Sequence, residues 1–315
     1  MSEFLNRFLQ QQKQSLQAPV AKIGRLGDLF VQRGLLSPEQ VEQITELQQQ
    51  QKMRFGDAAL SLGLLTQAQI DAAVGEQFGY ASADLLNGKA SDELHYLHQP
   101  FSDEAEEIRR LRSELLLRFG AQKKIWVALV SPAHGEGKSY MAASLGIALS
   151  QVGKRCLIID ANLREGGLHD YFGLGKPDGL SSVLAGRIDC EKAITQLTTN
   201  LYILPAGPTP PNPLEILRAP RIQLLLESLL PFYDAFIVDT YSASLAADAQ
   251  MVAHQVGTAL LMARQDQTTL ENLRQTQHDM QAAGVEVLGS IFNQWGASLP
   301  YRKQLKNWLN RFKRN

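Results

Sequence analysis

The sequence predicts an α/β fold, a doubly wound parallel sheet flanked by helices, preceded by a small all-α domain built from two copies of one motif. From residue 103 onwards, apolar runs alternate with helical segments, which is typical of a parallel sheet covered on both faces. The runs are IWVALV, CLIID, LYILPA, AFIVDT, TALLMAR and VLGSIF. Residues 25–37 and 54–66 read RLGDLFVQRGLLS and RFGDAALSLGLLT, so one short pattern occurs twice.

Composition limits the classes of function. The 315 residues leave room for about two domains. The 31 basic and 32 acidic residues nearly cancel, which gives no reason to expect a nucleic acid polymer as partner. No stretch has the pattern of a signal peptide or a membrane span, so we expect a cytoplasmic protein. Cys156 and Cys190 lack metal or redox spacing and are expected to be reduced thiols.

Changes in composition divide the chain into five parts. Residues 1–22 are rich in Gln and form a leader, 23–79 hold the repeat, and 80–102 are a polar connection. Residues 103–298 form the large α/β domain, and 299–315 form a basic tail. The tail has an apolar helical face, which fits contact with an anionic membrane or a partner, or a solvated terminus.

The first apolar strand leads into a phosphate-binding pattern, SPAHGEGKS. Gly135 and Gly137 let backbone N–H groups converge on phosphate oxygens at the start of a helix. Lys138 would neutralise the β- and γ-phosphates, and the Ser139 hydroxyl would bind Mg²⁺. Pro132 replaces the first glycine of the usual spacing, so a plain glycine turn is the alternative.

Two later strands end in acidic residues. Asp160 closes CLIID and Asp239 closes AFIVD, at the carboxyl edge where open α/β sheets bind ligands. Either aspartate alone fits a helix cap. Together with the glycine loop they predict ATP and Mg²⁺ binding, with Ser139, Asp160 and Asp239 as the metal ligands.

Residues 103–295 resemble the cytoplasmic domain of bacterial tyrosine kinases that accompany exopolysaccharide chain-length regulators (EpsG/CpsD-like). The likeness rests on SPAHGEGKS, LIIDANLR, GLSSVLAGR and LPAGPTPPNPLEIL. Glu106, Arg109 and Arg112 match the helix through which such kinases assemble into homo-oligomeric rings. The resemblance implies tyrosine-protein kinase activity at the inner face of the membrane, beside a Wzz-like membrane chain-length determinant protein.

The resemblance also implies roles for individual residues. The catalytic candidates are polar residues at the strand ends: Lys138, Asp160, Asn162, Arg164 and Asp239. The candidates for ATP binding lie in the glycine loop, at the start of its helix and in the last strand: Gly135, Glu136, Gly137, Lys138, Ser139, Tyr140 and Asn293. The phosphoacceptor candidate is Tyr301.

Three positions depart from the kinase pattern. Asn162 replaces an aspartate, Tyr241 and Ser242 replace two prolines, and Tyr301 stands where the kinases have a tyrosine cluster. The alternative is a non-kinase P-loop ATPase switch, related to MinD and ParA, that controls assembly or positioning of a membrane complex. Those proteins carry a signature lysine where this chain has Ala133, which argues against this alternative.

The repeat predicts two helix pairs. Each copy has a short helix, then a glycine, then a capping residue and a longer helix. Periodicity alone is compatible with a small docking bundle. The copies resemble the N-terminal domain of pilus and type II secretion ATPases of the MshE kind, which binds cyclic di-GMP through two such motifs. The implied effector contacts come from both copies: Arg25, Leu26, Gly27, Gln48, Arg54, Phe55, Gly56 and Gln77.

Overall fold

The computed structural model describes residues 26–77, 90–120, 123–218 and 221–294. The predicted leader, the basic tail, Arg25 and Tyr301 lie outside these ranges. Within the described ranges, no helix combines the length and the apolar character needed to cross a membrane.

The repeat forms two helix pairs, as predicted. Their four helices are α1 (Leu26–Gln32), α2 (Pro38–Gln51), α3 (Phe55–Ser61) and α4 (Gln67–Gln77). Gly34 and Gly63, just beyond the two short helices, have φ values of 67° and 66°, which favour glycine. Each long helix then begins with reciprocal capping. Gln40 N–H donates to Ser37 Oγ at 3.3 Å, and Ser37 N–H donates to Gln40 Oε1 at 2.8 Å.

The second copy repeats this capping. Thr66 N–H donates to Gln69 Oε1 at 2.8 Å, and Gln69 N–H donates to Thr66 Oγ1 at 3.3 Å. Such a cap stabilises a helix by about 0.5–2 kcal/mol. The capping pattern predicted from the sequence is therefore confirmed in both copies.

The two copies share one core. Helix α1 packs against α4, and α2 packs against α3, so each copy contacts the other. The rings of Phe30 and Phe55 are stacked, with centroids 6.4 Å apart. The fully or nearly buried apolar side chains come from both copies: Phe30, Leu36, Ile44, Ala58, Ala59, Leu65, Ile70 and Ala73. Because the contacts cross between copies, the pair folds as one unit.

A seven-stranded sheet forms the centre of the large domain, in the order β3-β4-β2-β5-β1-β6-β7. The strands are β1 (Ile125–Val130), β2 (Cys156–Asp160), β3 (Thr195–Gln196), β4 (Leu201–Leu204), β5 (Ala235–Asp239), β6 (Thr258–Arg264) and β7 (Glu286–Asn293). All neighbouring strands are parallel except β3 and β4, which are antiparallel. The predicted α/β class is confirmed.

Helices cover both faces of the sheet. They are α5 (His95–His98), α6 (Asp103–Phe119), α7 (Lys138–Gln151), α8 (Leu180–Leu184), α9 (Cys190–Ala193), α10 (Pro213–Ile216), α11 (Arg221–Leu229), α12 (Asp248–Val256) and α13 (Leu270–Ala282). Alternate residues of a strand enter two separate cores: Val127 and Leu129 face α6 and α7, whereas Ala128 and Val130 face α11 and α12. Burial on both faces explains why the strands are continuously apolar.

The packed α/β unit begins earlier than the sequence indicated. Leu94, Tyr96 and Leu97 are buried in the core beside α6 and α7. Tyr96 also donates its hydroxyl hydrogen to Gln151 Oε1 at 2.7 Å. The second half of the predicted connection 80–102 therefore belongs to the α/β domain. The sequence did not indicate this, because the three large apolar side chains lie among polar residues that are typical of a linker.

Candidate nucleotide site

The sheet brings the predicted acidic residues side by side. Asp160 at the end of β2 is the register partner of Asp239 at the end of β5. Asp239 in turn lies beside Leu129 of β1, the strand that leads into the glycine loop. The loop and both carboxylates therefore share one edge of the sheet, as the order of the motifs predicted.

The glycine loop folds back over Lys138. Gly135 and Gly137 have φ values of 74° and 95°, a conformation that a side chain would strain. Lys138 is 7% exposed, and its Nζ donates to Ser131 Oγ at 2.7 Å. Burial lowers the pKa of Lys138, and the nearby charge of Asp239 opposes that effect. The ammonium group is thus enclosed by the loop. Bound phosphate oxygens would replace the Ser131 hydroxyl as its partner.

Ser139 and the two aspartates fit a magnesium site. The Ser139 hydroxyl donates to Asp239 Oδ2 at 2.5 Å. Asp239 Oδ1 is buried and has no hydrogen-bond partner among the described residues. Burial raises the pKa of Asp239 to about 6. Burial and the charge of Asp239 also raise the pKa of Asp160 well above its usual value.

A divalent cation would neutralise this carboxylate pair. Carboxylate and hydroxyl oxygens are the ligands that Mg²⁺ prefers, completed by phosphate and water. The described residues contain no group of three or more His, Cys, Asp or Glu side chains placed to hold a metal. Mg²⁺ would therefore be held together with the nucleotide, and its charge would favour the ionised carboxylates.

Asp160 also organises the segment that follows β2. Its Oδ1 accepts the Asn162 N–H and its Oδ2 accepts the Leu168 N–H, both at 3.1 Å. Asn162 Oδ1 accepts the Glu165 N–H at 3.0 Å. Asn162 therefore uses its amide oxygen to hold the turn that follows β2.

Arg164 lies at the flank of the site. Its guanidinium forms two hydrogen bonds with the buried Asp248 carboxylate, at 3.0 and 3.1 Å. Its Cζ also lies 5.5 Å from the centre of the Tyr241 ring. Arg164, a catalytic candidate, is held by Asp248 and Tyr241.

Polar residues at the end of β6 and just after it support the glycine loop, and the sequence alone did not indicate this role. The Glu136 carboxylate accepts the Ala133 N–H at 2.7 Å and the Thr268 hydroxyl. Arg264 donates to the Gly135 carbonyl at 2.7 Å, and Gln267 donates to the His134 carbonyl at 2.6 Å. The run RQDQT carries these groups, but no local pattern connects it with a loop more than a hundred residues earlier.

Asn293 lies against the loop, and Tyr140 does not. Asn293 Nδ2 donates to the Glu136 carbonyl at 3.2 Å, and a Cβ on Gly137 would approach this nitrogen to 2.4 Å. The Tyr140 side chain points towards the segment before α6, where its hydroxyl oxygen accepts the Tyr96 N–H at 3.1 Å. Burial raises the Tyr140 pKa far above its usual range.

The residues predicted to assemble a ring make contacts within the subunit. Arg109 donates to Glu106 Oε2 at 2.8 Å and to the Pro100 carbonyl at 2.7 Å. Arg112 donates to the Ala148 carbonyl at 3.4 Å, and its Nε is buried with no hydrogen-bond partner among the described residues. A partner subunit would have to compete with these contacts.

The predicted effector residues of the first copy are only partly described, because Arg25 lies outside the described residues. Leu26 packs at the edge of the helical core, and Gln48 is half-buried near the end of α2. A Cβ on Gly27 would approach Val41 Cγ1 to 2.9 Å. Gly27 thus allows close helix packing, a role that the sequence analysis did not assign.

The second copy has the same arrangement. Arg54 is exposed and precedes α3, and Phe55 packs at the edge of the helical core. A Cβ on Gly56 would approach Ile70 Cγ2 to 3.1 Å, again a helix contact. The side chain of Gln77 lies outside the described part of the structure.

Comparison with known proteins links the chain to bacterial tyrosine kinases. No family model matches it. It is 33% identical over 213 residues to the putative tyrosine-protein kinase EpsB of Ralstonia nicotianae, covering 67% of this chain and 28% of the relative. It is 31% identical over 195 residues to the tyrosine-protein kinase Etk of Escherichia coli K12, covering 62% and 27%. The chain therefore spans little more than a quarter of the length of these relatives.

A solved structure gives the corresponding likeness in fold. The kinase domain of Escherichia coli tyrosine kinase ETK superposes with a TM-score of 0.62 at 29% identity, covering 66% of this chain and 82% of that domain. The α/β unit therefore has a P-loop fold similar to that of a bacterial tyrosine-kinase domain.

Proposed function

We propose that the chain is an ATP-dependent tyrosine kinase that regulates exopolysaccharide synthesis and chain length. The observation that carries this proposal is the register of Asp160 and Asp239, with the Ser139 hydroxyl bonded to Asp239. This arrangement suits Mg²⁺–ATP, and the similarity to bacterial tyrosine kinases favours tyrosine as the phosphoryl acceptor. Mg²⁺ supplies charge neutralisation of the phosphates when bound.

The chain's own residues divide the work of phosphoryl transfer. The backbone N–H groups of the glycine loop and the Lys138 ammonium bind and orient the phosphates. The Ser139–Asp239 contact fixes the start of α7 against β5, which holds the phosphate-binding end of the loop in place. Positioning of this kind accounts for much of the catalysis of phosphoryl transfer.

The proposed setting is the inner face of a membrane. There the chain would act beside a Wzz-like chain-length determinant protein and assemble into a ring through Glu106, Arg109 and Arg112. Arg109 and Arg112 would lose their intramolecular partners if they turned towards a neighbour, so these contacts fit an interface that can switch.

Phosphotyrosine detection after incubation with ATP and Mg²⁺ tests the kinase proposal. The parent should phosphorylate itself or a tyrosine-containing polymer, and Lys138→Met should not. Lys176→Met removes an exposed lysine outside the loop and serves as the matched control. Release of ADP without phosphotyrosine would instead select the ATPase switch.

We also propose that the helical domain binds cyclic di-GMP and controls the kinase. Contacts between the two copies support an approximately twofold arrangement, which suits a ligand with two phosphates and two guanines. Arg54 is exposed at the start of α3, where an arginine can bind a phosphate or a guanine edge through two hydrogen bonds. Gly27 and Gly56 let the two helices of each copy pack closely, and a Cβ on Gly27 would also lie 3.5 Å from the Phe55 ring of the other copy.

Calorimetry with cyclic di-GMP tests this second proposal. Arg54→Ala should weaken binding by about ten- to a hundred-fold, since a charge-assisted contact contributes about 1.5–3 kcal/mol. Lys52→Gln, two residues earlier, controls for a general loss of positive charge. If the parent does not bind, the repeat is a helical docking bundle.

A further inference from the structure

His134 of the glycine loop and Glu165 form a pair whose side chains have no role in the proposed binding of phosphate and Mg²⁺. His134 Nδ1 lies 3.0 Å from Glu165 Oε2, and the two side chains are 70% and 51% exposed. A carboxylate at Nδ1 favours the tautomer whose proton is on that nitrogen. Nε2 then carries the lone pair and accepts a proton.

Backbone contacts place both members of this pair. The His134 carbonyl accepts Gln267 Nε2–H at 2.6 Å, which anchors that part of the loop to the segment after β6. Glu165 belongs to the segment after β2, where its N–H is bound by Asn162 Oδ1 at 3.0 Å. Asn162 therefore holds Glu165, and Glu165 in turn orients the His134 ring.

The pair also lies at the loop that is expected to hold the phosphates. His134 is inside the loop whose N–H groups converge on phosphate, four positions before Lys138. The Glu165 carboxylate is among the charges that act on the Lys138 ammonium. Both side chains are at the exposed side of the site, where an acceptor hydroxyl has to enter.

We propose that His134 is the general base for phosphoryl transfer in this chain and that Glu165 positions it, replacing the carboxylate missing at Asn162. This inference rests on the proposed kinase function. The acceptor tyrosine transfers its hydroxyl proton to His134 Nε2 while its oxygen bonds to the γ-phosphorus of ATP. The bond from that phosphorus to the bridging oxygen breaks, ADP leaves, and the imidazolium later releases its proton to water.

The test compares His134→Ala with the parent in ATP binding, ADP release and phosphotyrosine formation on a tyrosine-containing polymer. The exposed side chain can be removed without opening the core, so ATP affinity should stay within about twofold. Phosphotyrosine formation should fall by about a hundred-fold, within the range typical of a general base. Added imidazole should restore part of the rate in His134→Ala and none in Lys138→Met.

Two further variants separate catalysis from structure. His278→Ala removes an exposed histidine on α13 and should leave all three measurements unchanged. Glu165→Gln should lower the maximal rate by about ten-fold without changing ATP affinity, because it disturbs the orientation of the ring. Glu165→Asp should recover part of that loss.

The outcomes distinguish this inference from the proposed function. A parent that forms phosphotyrosine, with His134→Ala equally fast or not rescued by imidazole, overturns the role of His134 and leaves the kinase proposal standing. A parent without phosphotyrosine overturns the kinase proposal, and ADP release then tests His134 with water as the acceptor. Equal ADP release by parent and variant, or none by either, overturns the role of His134 as well.

Discussion

The Ser139 hydroxyl donates a hydrogen bond to the buried Asp239 carboxylate at 2.5 Å, which joins the first turn of α7 to the end of β5. The register partner of Asp239 is Asp160, also buried. Two neighbouring carboxylates that both have a raised pKa form a site whose charge a cation would balance.

Asp239 should make the nucleotide-free protein less stable as pH rises. Burial raises its pKa in the folded state to about 6, from an ordinary value of 3.8, so the folded state binds the proton more tightly than the unfolded state. The corresponding stability is present below about pH 4 and is lost as pH rises through about 6, by on the order of 3 kcal/mol. Urea unfolding of the parent and Asp239→Asn across this range measures the effect.

In that experiment, the free energy of unfolding should depend less on pH in Asp239→Asn than in the parent. Mg²⁺ with ATP should recover stability in the parent at pH 7 and much less in the variant. Identical profiles in parent and variant would show that Asp239 does not titrate in this range.

Lys138 should contribute strongly to nucleotide affinity. Lys138→Ala removes a charge-assisted phosphate contact of about 1.5–3 kcal/mol and should weaken ATP binding by about ten- to a hundred-fold. Equilibrium binding of a fluorescent ATP analogue measures this, with Lys176→Ala as the control. An unchanged affinity for Lys138→Ala would contradict the assignment of the glycine loop.

Gly137 should tolerate no side chain. Its φ is 95°, and an added Cβ would lie 2.4 Å from Asn293 Nδ2. Gly137→Ala should destabilise the fold by about 1–3 kcal/mol and weaken ATP binding, as urea unfolding and nucleotide titration would show.

Gly153 supplies the matched comparison for Gly137. It also has a positive φ, 79°, but an added Cβ there would meet open space. Gly153→Ala should therefore cost only the backbone strain, about 1 kcal/mol, and leave ATP affinity unchanged. Equal losses at the two positions would show that the close approach to Asn293 has no energetic effect.

Asn162 should act through the oxygen that accepts the Glu165 N–H. Asn162→Ala removes this acceptor and should slow phosphotyrosine formation by about ten-fold through a displaced Glu165. Asn162→Asp keeps an acceptor at the same place and should be at least as fast as the parent. A slower Asn162→Asp, with ATP affinity retained, would contradict this role.

The sequence was sufficient to predict the sheet and the shared edge at which the glycine loop, Asp160 and Asp239 lie. Runs such as AFIVD are apolar because both faces of the strand are buried, and the glycine loop has fixed spacing. The sequence around Leu94 and Tyr96 predicts a connection, because the side chains that the fold buries are surrounded by polar residues. The contact of Thr268 with Glu136 left no local signal, since the two residues are far apart in the chain.

The transfer of phosphate from ATP to tyrosine at this site can be measured directly. The experiment is a single turnover with ATP labelled at the γ-phosphate. The parent chain, Mg²⁺ and a tyrosine-containing polymer are mixed with limiting ATP, and the label is divided between phosphotyrosine and inorganic phosphate. We expect label in phosphotyrosine for the parent and for Lys176→Met, and none for Lys138→Met. Label found entirely in inorganic phosphate for the parent would contradict the transfer to tyrosine.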